Sequence, residues 1–311
     1  MSGAQAWGFA DDRGTELGAA RVPRRVVAYV RAGAALCDLG VTPVAVYGSG
    51  HDGEVLDPAK EGGLRSAAVT YLGPGRGLDE ALLRELRPDV IVDVTYDGKS
   101  PYALDEAVAE RLGVPLVALS VGNELTLSAI LDRFAALAVS LGAAPVTPAA
   151  SVAPAAPVGE ASTEASPGDV RAGDVRAGEL GAGDLRAAED TLREAAARSG
   201  LAVLALSGAG PDQVHLARPL AWPELARLTE LGVRLVDPGP GPGANWLTAD
   251  WGRAAELRPG LVLFDSRAPA TPPGGTLPGV RSAPWNPETP PSPAAYARFF
   301  RDLAEALATG D

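Results

Sequence analysis

From Arg24 onward, short apolar runs alternate with amphipathic helical segments, and this alternation restricts the possible folds more than any other feature of the chain. "RRVVAYV", "TPVAVY", "AAVTYL", "DVIVDV" and "PLVALSV" read as strands, with "AGAALCDLG", "LDEALLREL" and "ALDEAVAERL" as helices among them. Strands this short and apolar at nearly every position must be covered on both faces, and helical crossovers supply that cover. An α/β fold with mostly parallel sheets flanked by helices follows.

The pattern occurs twice. A longer helical segment, "LTLSAILDRFAALAVSLGA", places Leu127, Ile130, Leu131, Phe134, Leu137, Ala138 and Leu141 at helical spacing. Residues 144–186 then turn rich in Ala, Pro, Ser and Gly and enter the near-repeat "GDVRAGDVRAGELGAGDLRA". A period of five matches neither a helical stripe nor strand alternation, so a disordered insertion is expected. Helical pattern resumes over residues 187–200, and a second series follows with "LAVLALS", "QVHLA", "RLVDPG" and "GLVLFDS" as strands. It ends in a helix capped by Ser292 ahead of Pro293. The expected organisation is a flexible N-terminus (1–21), a first lobe (22–124), an interlobe helix that starts at 125–143 and resumes at 187–200 around the insertion, and a second lobe (201–311). One long helix would thus join two α/β lobes.

Composition excludes several functions. A net charge of −12 and few lysines argue against a nucleic-acid partner, which needs a basic surface. The single cysteine, Cys37, forms no intrachain disulfide and no cysteine metal cluster. No apolar run spans a bilayer, and the N-terminus lacks the basic start and apolar core of an export signal, so the chain as written is expected in the cytoplasm.

"VAVYGSGHDG" contains the spacing G-x-G-x-x-G at Gly48, Gly50 and Gly53. A dinucleotide turn must open a helix whose N-terminus faces the pyrophosphate. Here "EVLDPAKEGG" follows, without an apolar stripe, and the motif comes after the second strand rather than the first. No cofactor is expected. The two histidines, His51 and His215, fall in opposite lobes with no local catalytic partner.

Several segments carry a family resemblance. "RVVAYVRAGAALCDLGVTPVAVYG", the "LDEALLRELRPDVIVDV" element, its second-lobe counterpart "LTADWGRAAELRPGLVLFD", and "ILDRFAALAVSLGA" resemble the helix-linked substrate-binding proteins of ABC transporters, specifically the iron–siderophore and cobalamin binders. The likeness covers residues 22–143 and 187–308.

This resemblance implies a small-molecule ligand, such as a ferric siderophore, held in an interlobe cleft by a monomer without covalent chemistry. Ligands of open α/β sheets bind beyond the carboxyl ends of the strands. That position nominates Arg31, Tyr47, His51, Tyr96, Lys99, Ser120 and Asn123 from the first lobe, and His215, Arg218, Trp246 and Arg267 from the second. Arginine forks suit ligand oxygens and aromatic faces suit rings. Trp222 and Trp251 read as packing residues, and Trp285 as a loop residue that forms either a cleft wall or a strap over the second lobe.

The family works outside the cytoplasmic membrane, so an extracytoplasmic location is the alternative. Its permease partner docks on an acidic residue in each lobe. Glu80 matches in the first lobe. In the second, Asp250 stands two residues early and Gly252 lies nearer the expected place. The rival reading is an enzyme or metabolite binder on the same two-lobe plan, using His51, His215 and Asp265.

Overall fold

The computed structural model describes residues 6–144, 181–270 and 277–308. Most of the expected insertion, residues 145–180, lies outside them. In the first lobe, β1 (Trp7–Ala10) and β2 (Glu16–Ala19) form an antiparallel hairpin. The parallel core follows as β3 (Val26–Tyr29), α1 (Val30–Asp38), β4 (Ala45–Gly48), β5 (Thr70–Pro74), α2 (Glu80–Leu86), β6 (Val90–Thr95), α3 (Glu106–Leu112) and β7 (Leu116–Ser120). Two helices come next, α4 (Leu127–Ser140) and α5 (Ala182–Ser199). The second lobe comprises β8 (Ala202–Gly208), β9 (Val214–Ala217), α6 (Pro223–Glu230), β10 (Arg234–Leu235), β11 (Trp246–Ala249), α7 (Trp251–Glu256), β12 (Leu261–Asp265), β13 (Arg281–Trp285) and α8 (Pro293–Ala308).

The first sheet runs in the order β5-β4-β3-β6-β7, with every neighbouring pair parallel. The chain winds one way from β3 to β5, then crosses to β6 and β7 on the other side. This reversal opens a crevice at the carboxyl ends of β3 and β6, the usual place for a ligand in an open sheet. Every residue of β3, β4, β6 and β7 is buried, as two-sided helical cover requires. Asp79, Asp105 and Thr126 each accept a backbone N–H at the starts of α2, α3 and α4.

The second sheet runs β11-β9-β8-β12-β13, with β10 also paired to β8. Its β8, β12 and β13 are parallel, whereas β9 runs antiparallel to both of its neighbours, β8 and β11. Pro284 sits in β13, and β13 is an edge strand, where a missing N–H is tolerated. Ser292 accepts the Ala295 N–H at 3.1 Å and so caps α8.

α4 stitches the two cores together. Its Leu127 and Leu131 pack into the second-lobe core, while Ile130, Phe134 and Leu137 pack into the first. α5 carries Ala188 and Leu192 into the second-lobe core. It begins at Ala182, so the last repeat unit, "GDLRA", is helical rather than part of a disordered stretch.

The hairpin also differs from the expected flexible N-terminus. Asp11 accepts N–H groups from Arg13, Thr15 and Ala118, and Asp12 holds Arg133 of α4 at 2.6 Å. Arg133 in turn lies over the Phe9 ring, 5.0 Å from its centroid. These side chains fasten the N-terminal segment to β7 and α4.

Candidate functional site

A cleft of about 410 Å³ opens between the lobes at the carboxyl ends of the first-lobe strands. His51, Lys60, Tyr96 and Tyr102 line it from the first lobe, and Trp222, Trp246, Arg267 and Glu288, with Pro269 and Pro287, from the second. A larger groove of about 670 Å³ borders α4, α5 and α6, but no aromatic ring lines it. Its Arg227 is already clamped by Glu189 at 2.8 Å and Glu230 at 2.7 Å. Aromatic walls around a few polar groups are what ligand sites present, so the smaller cleft is the candidate site.

Four rings form its walls. Tyr96 and Tyr102 meet edge to face at 4.8 Å, and Trp222 and Trp246 do the same at 4.9 Å. Behind them Tyr29 packs on Tyr102 at 5.6 Å, and the buried Trp285 backs Trp222 at 5.5 Å. The Tyr102 loop is pinned from below by Asp93 on β6. Asp93 is fully buried and accepts the N–H groups of Leu104 at 2.9 Å and Ala103 at 3.1 Å. Burial pushes its carboxyl up to about 6, against the opposing effect of these hydrogen bonds. Gly75 lies under the same loop, where a Cβ would collide with the carbonyls of Ala103 and Gly48.

Glu288 is the electrostatic centre of the cleft floor. It accepts from the Tyr29 hydroxyl, from Lys60 Nζ at 2.8 Å and from Arg267 Nη1. Burial opposes its charge, but the attraction of Lys60 and Arg267 outweighs burial and holds the carboxyl down to about 2. Lys60 also pairs with Asp52 at 2.7 Å, and Arg267 forks onto Asp265 with its shortest bond at 2.7 Å. Asp265 is further fixed by the Ser207 hydroxyl at 2.8 Å.

Further contacts close the seam between the lobes. Arg31 is 4% exposed; it donates to the Thr289 carbonyl at 3.2 Å and to the Tyr96 hydroxyl at 3.0 Å. Asn286 Nδ2 reaches the Ala59 carbonyl at 2.6 Å, the Ala268 N–H reaches Asp57 at 2.8 Å, and Ser292 Oγ reaches Asp38 at 2.5 Å.

Of the nominated residues, the cleft brings together His51, Tyr96, Trp246 and Arg267. The others stand elsewhere. Arg31 sits behind Tyr96 and orients it. Tyr47 is fully buried in the first-lobe core, with its hydroxyl on Asp93 at 3.1 Å, because β4 is covered on both faces. Lys99 is exposed on a turn built around Asp97 and does not line the cleft. Ser120 is buried, and its N–H is taken by Asp12 at 2.7 Å. Asn123 borders the larger groove.

In the second lobe, His215 Nδ1 bonds Thr248 Oγ1 at 3.0 Å across the β9–β11 pair. Arg218 spends its donors on the carbonyls of Gly239, Gly241 and Gly243, fastening that loop. Trp222, expected only to pack, lines the cleft, and Trp285, expected in a loop, is a buried strand residue. Lys60, Tyr102 and Glu288 were not nominated from the sequence. Glu80 bonds Arg111 at 2.5 Å and Arg84 at 3.1 Å, and Asp250 caps α7 by accepting the Arg253 N–H at 2.8 Å.

No helix opens after the three glycines. Instead Asp52 turns back to accept the Ser49 N–H at 2.6 Å and hydroxyl at 2.8 Å, placing a carboxylate where a dinucleotide turn would meet phosphate. Among the described residues no group of three His, Cys, Asp or Glu side chains is placed to hold a metal ion. Among them, too, no helix is long and apolar enough to cross a membrane.

Two lobes with helix-covered sheets, fastened by α4 and with an aromatic cleft between them, have the architecture of helix-linked solute-binding proteins. Solved structures agree. The chain is similar to DesE, a ferric-siderophore receptor protein from Streptomyces coelicolor, at 25% identity and a TM-score of 0.76, covering 98% of this chain and 99% of that one. It is also similar to the siderophore periplasmic binding protein from the fuscachelin gene cluster of Thermobifida fusca, with 13% identity, TM-score 0.56 and coverage of 92% and 96%. A third similar structure is the periplasmic heme-binding protein RhuT from Roseiflexus sp. RS-1, with 16% identity, TM-score 0.57 and coverage of 92% and 98%. No family profile and no curated protein matches the chain. These neighbours are described as receptor or binding proteins rather than enzymes.

Proposed function

We propose that the chain captures a ferric siderophore of low net charge, as a monomer outside the cytoplasmic membrane, and passes it to an ABC permease. The observation that carries this reading is the cleft wall itself: two tyrosines and two tryptophans around a floor whose cations are already paired. Ring faces offer a chelated iron complex a large, low-entropy contact surface. Glu288 is engaged by three donors, so the floor offers little to a bare metal ion, which suits iron that arrives inside its own chelator. The likeness to DesE supports the ligand class, and the neighbours described as periplasmic support the location.

Permease docking through Glu80 and Asp250 belongs to the same reading. Both stand at helix starts, Glu80 in the first turn of α2 and Asp250 at the cap of α7. Arg111 holds the Glu80 carboxyl below its usual range, which keeps it anionic.

The test is a titration followed by tryptophan fluorescence, since Trp222 and Trp246 line the cleft. A neutral ferric trihydroxamate should quench saturably and elute intact with the protein, whereas haemin should bind more weakly. Tight haemin binding with no response to the trihydroxamate would refute the siderophore reading.

A further inference from the structure

The charges of the cleft floor are paired with one another. Lys60 and Arg267 reach the floor from opposite lobes, and neither points a free charge at the cavity. Lys60 Nζ lies 2.7 Å from Asp52 and 2.8 Å from Glu288, with the side chain 3% exposed. Arg267 spends Nε and Nη2 on Asp265 and Nη1 on Glu288. Two cations thus face three carboxylates, and only Glu288 is shared by both cations. Glu288 also takes the Tyr29 hydroxyl, so its two oxygens are fixed from three directions.

We infer that Glu288 is the specificity-determining residue for ligand charge: by holding both Lys60 and Arg267, it makes the cleft reject polyanionic metal complexes and accept neutral ones. Specificity often comes from a repulsive element against the wrong partner rather than from extra attraction to the right one. A polyanion entering this cleft meets a floor with one more carboxylate than cations, Arg31 behind Tyr96 being faced by Glu224, in a partly desolvated site where charge–charge terms are stronger than in water. A neutral complex meets only ring faces and satisfied hydrogen bonds. Without the Glu288 charge, the floor would hold two cations against two carboxylates, and one donor on each cation would be free to turn to the ligand. Asp52 and Asp265 play a lesser part because each holds only one of the cations, Lys60 and Arg267 respectively.

This inference rests on the siderophore reading, and the test separates the two. Tryptophan quenching is measured with a neutral ferric trihydroxamate and a trianionic ferric tris-catecholate, on the wild type, Glu288→Gln and Lys60→Met. The wild type should prefer the neutral complex by about tenfold or more, the size expected when a buried like charge opposes a ligand. Glu288→Gln should shrink this preference by about tenfold, mainly through tighter tris-catecholate binding. Lys60→Met leaves Glu288 less compensated and should widen the preference, so the idea stays testable if the Gln variant fails to fold. An unchanged preference in a folded Glu288→Gln protein, or a narrowed one in Lys60→Met, overturns the role of Glu288 while the siderophore reading stands. A wild type that binds neither complex overturns both.

Discussion

Tyr29, at the end of a central strand of the first lobe, donates its hydroxyl to Glu288 on the segment entering the last helix, 259 residues later. Both are buried. Tyr29→Phe keeps the ring and its packing on Tyr102 but removes the donor. It should cost about 1–3 kcal/mol, as for hydrogen bonds to buried charged groups, read as a lower urea midpoint with unchanged slope. Affinity for the neutral ferric complex should move little, since Lys60 and Arg267 still hold Glu288.

Trp246 makes one wall of the cleft and is braced by Trp222 at 4.9 Å and by Trp285 at 5.8 Å. Trp246→Ala should weaken ferric-complex binding by about tenfold or more, as for a central aromatic anchor. Trp285→Ala, behind the wall and 1% exposed, should instead act on stability, by about 3–5 kcal/mol. Paired fluorescence titrations and denaturant melts distinguish the two effects.

The Glu288 carboxyl is held down to about 2 against an ordinary 4.5. A depressed acid stabilises the fold above its unfolded value, so this contribution is complete above pH 4.5 and is lost as pH falls toward 2. The gap in Tm between wild type and Glu288→Gln should therefore close over that window.

Asp93 runs the opposite way. Burial raises it from an ordinary 3.8 to about 6, so the folded state holds the proton more tightly and stability falls as pH rises across that interval. The Tm of wild type relative to Asp93→Asn should decline between those pH values. A rising difference would show that the N–H groups of Leu104 and Ala103 dominate over burial.

Much of the fold was legible because its cause is local. Strands such as Val26–Tyr29 and Val90–Thr95 are buried throughout since helices cover both faces, and Ser292 ahead of Pro293 announces the last helix in sequence. The cleft was partly legible for the same reason. Tyr96 follows β6 directly and Arg267 follows β12, so strand ends pointed to them. Lys60 and Glu288 gave no such signal. Lys60 lies in the loop between β4 and β5, and only its folding back places the ammonium beside Asp52. Glu288 follows β13, a strand concealed by Pro284. Tyr47 misled because a strand's last residues can face either the crevice or the core, and alternation in a wholly apolar strand does not say which.

The central claim is that an iron complex sits between the tyrosine and tryptophan walls. Crystals grown with a neutral ferric trihydroxamate and measured at the iron absorption edge test it directly. The account predicts one strong iron peak in the cleft bounded by Tyr96, Tyr102, Trp222 and Trp246. An iron peak in the groove beside Arg227 and Glu189, or none in a protein saturated with the complex, would contradict it.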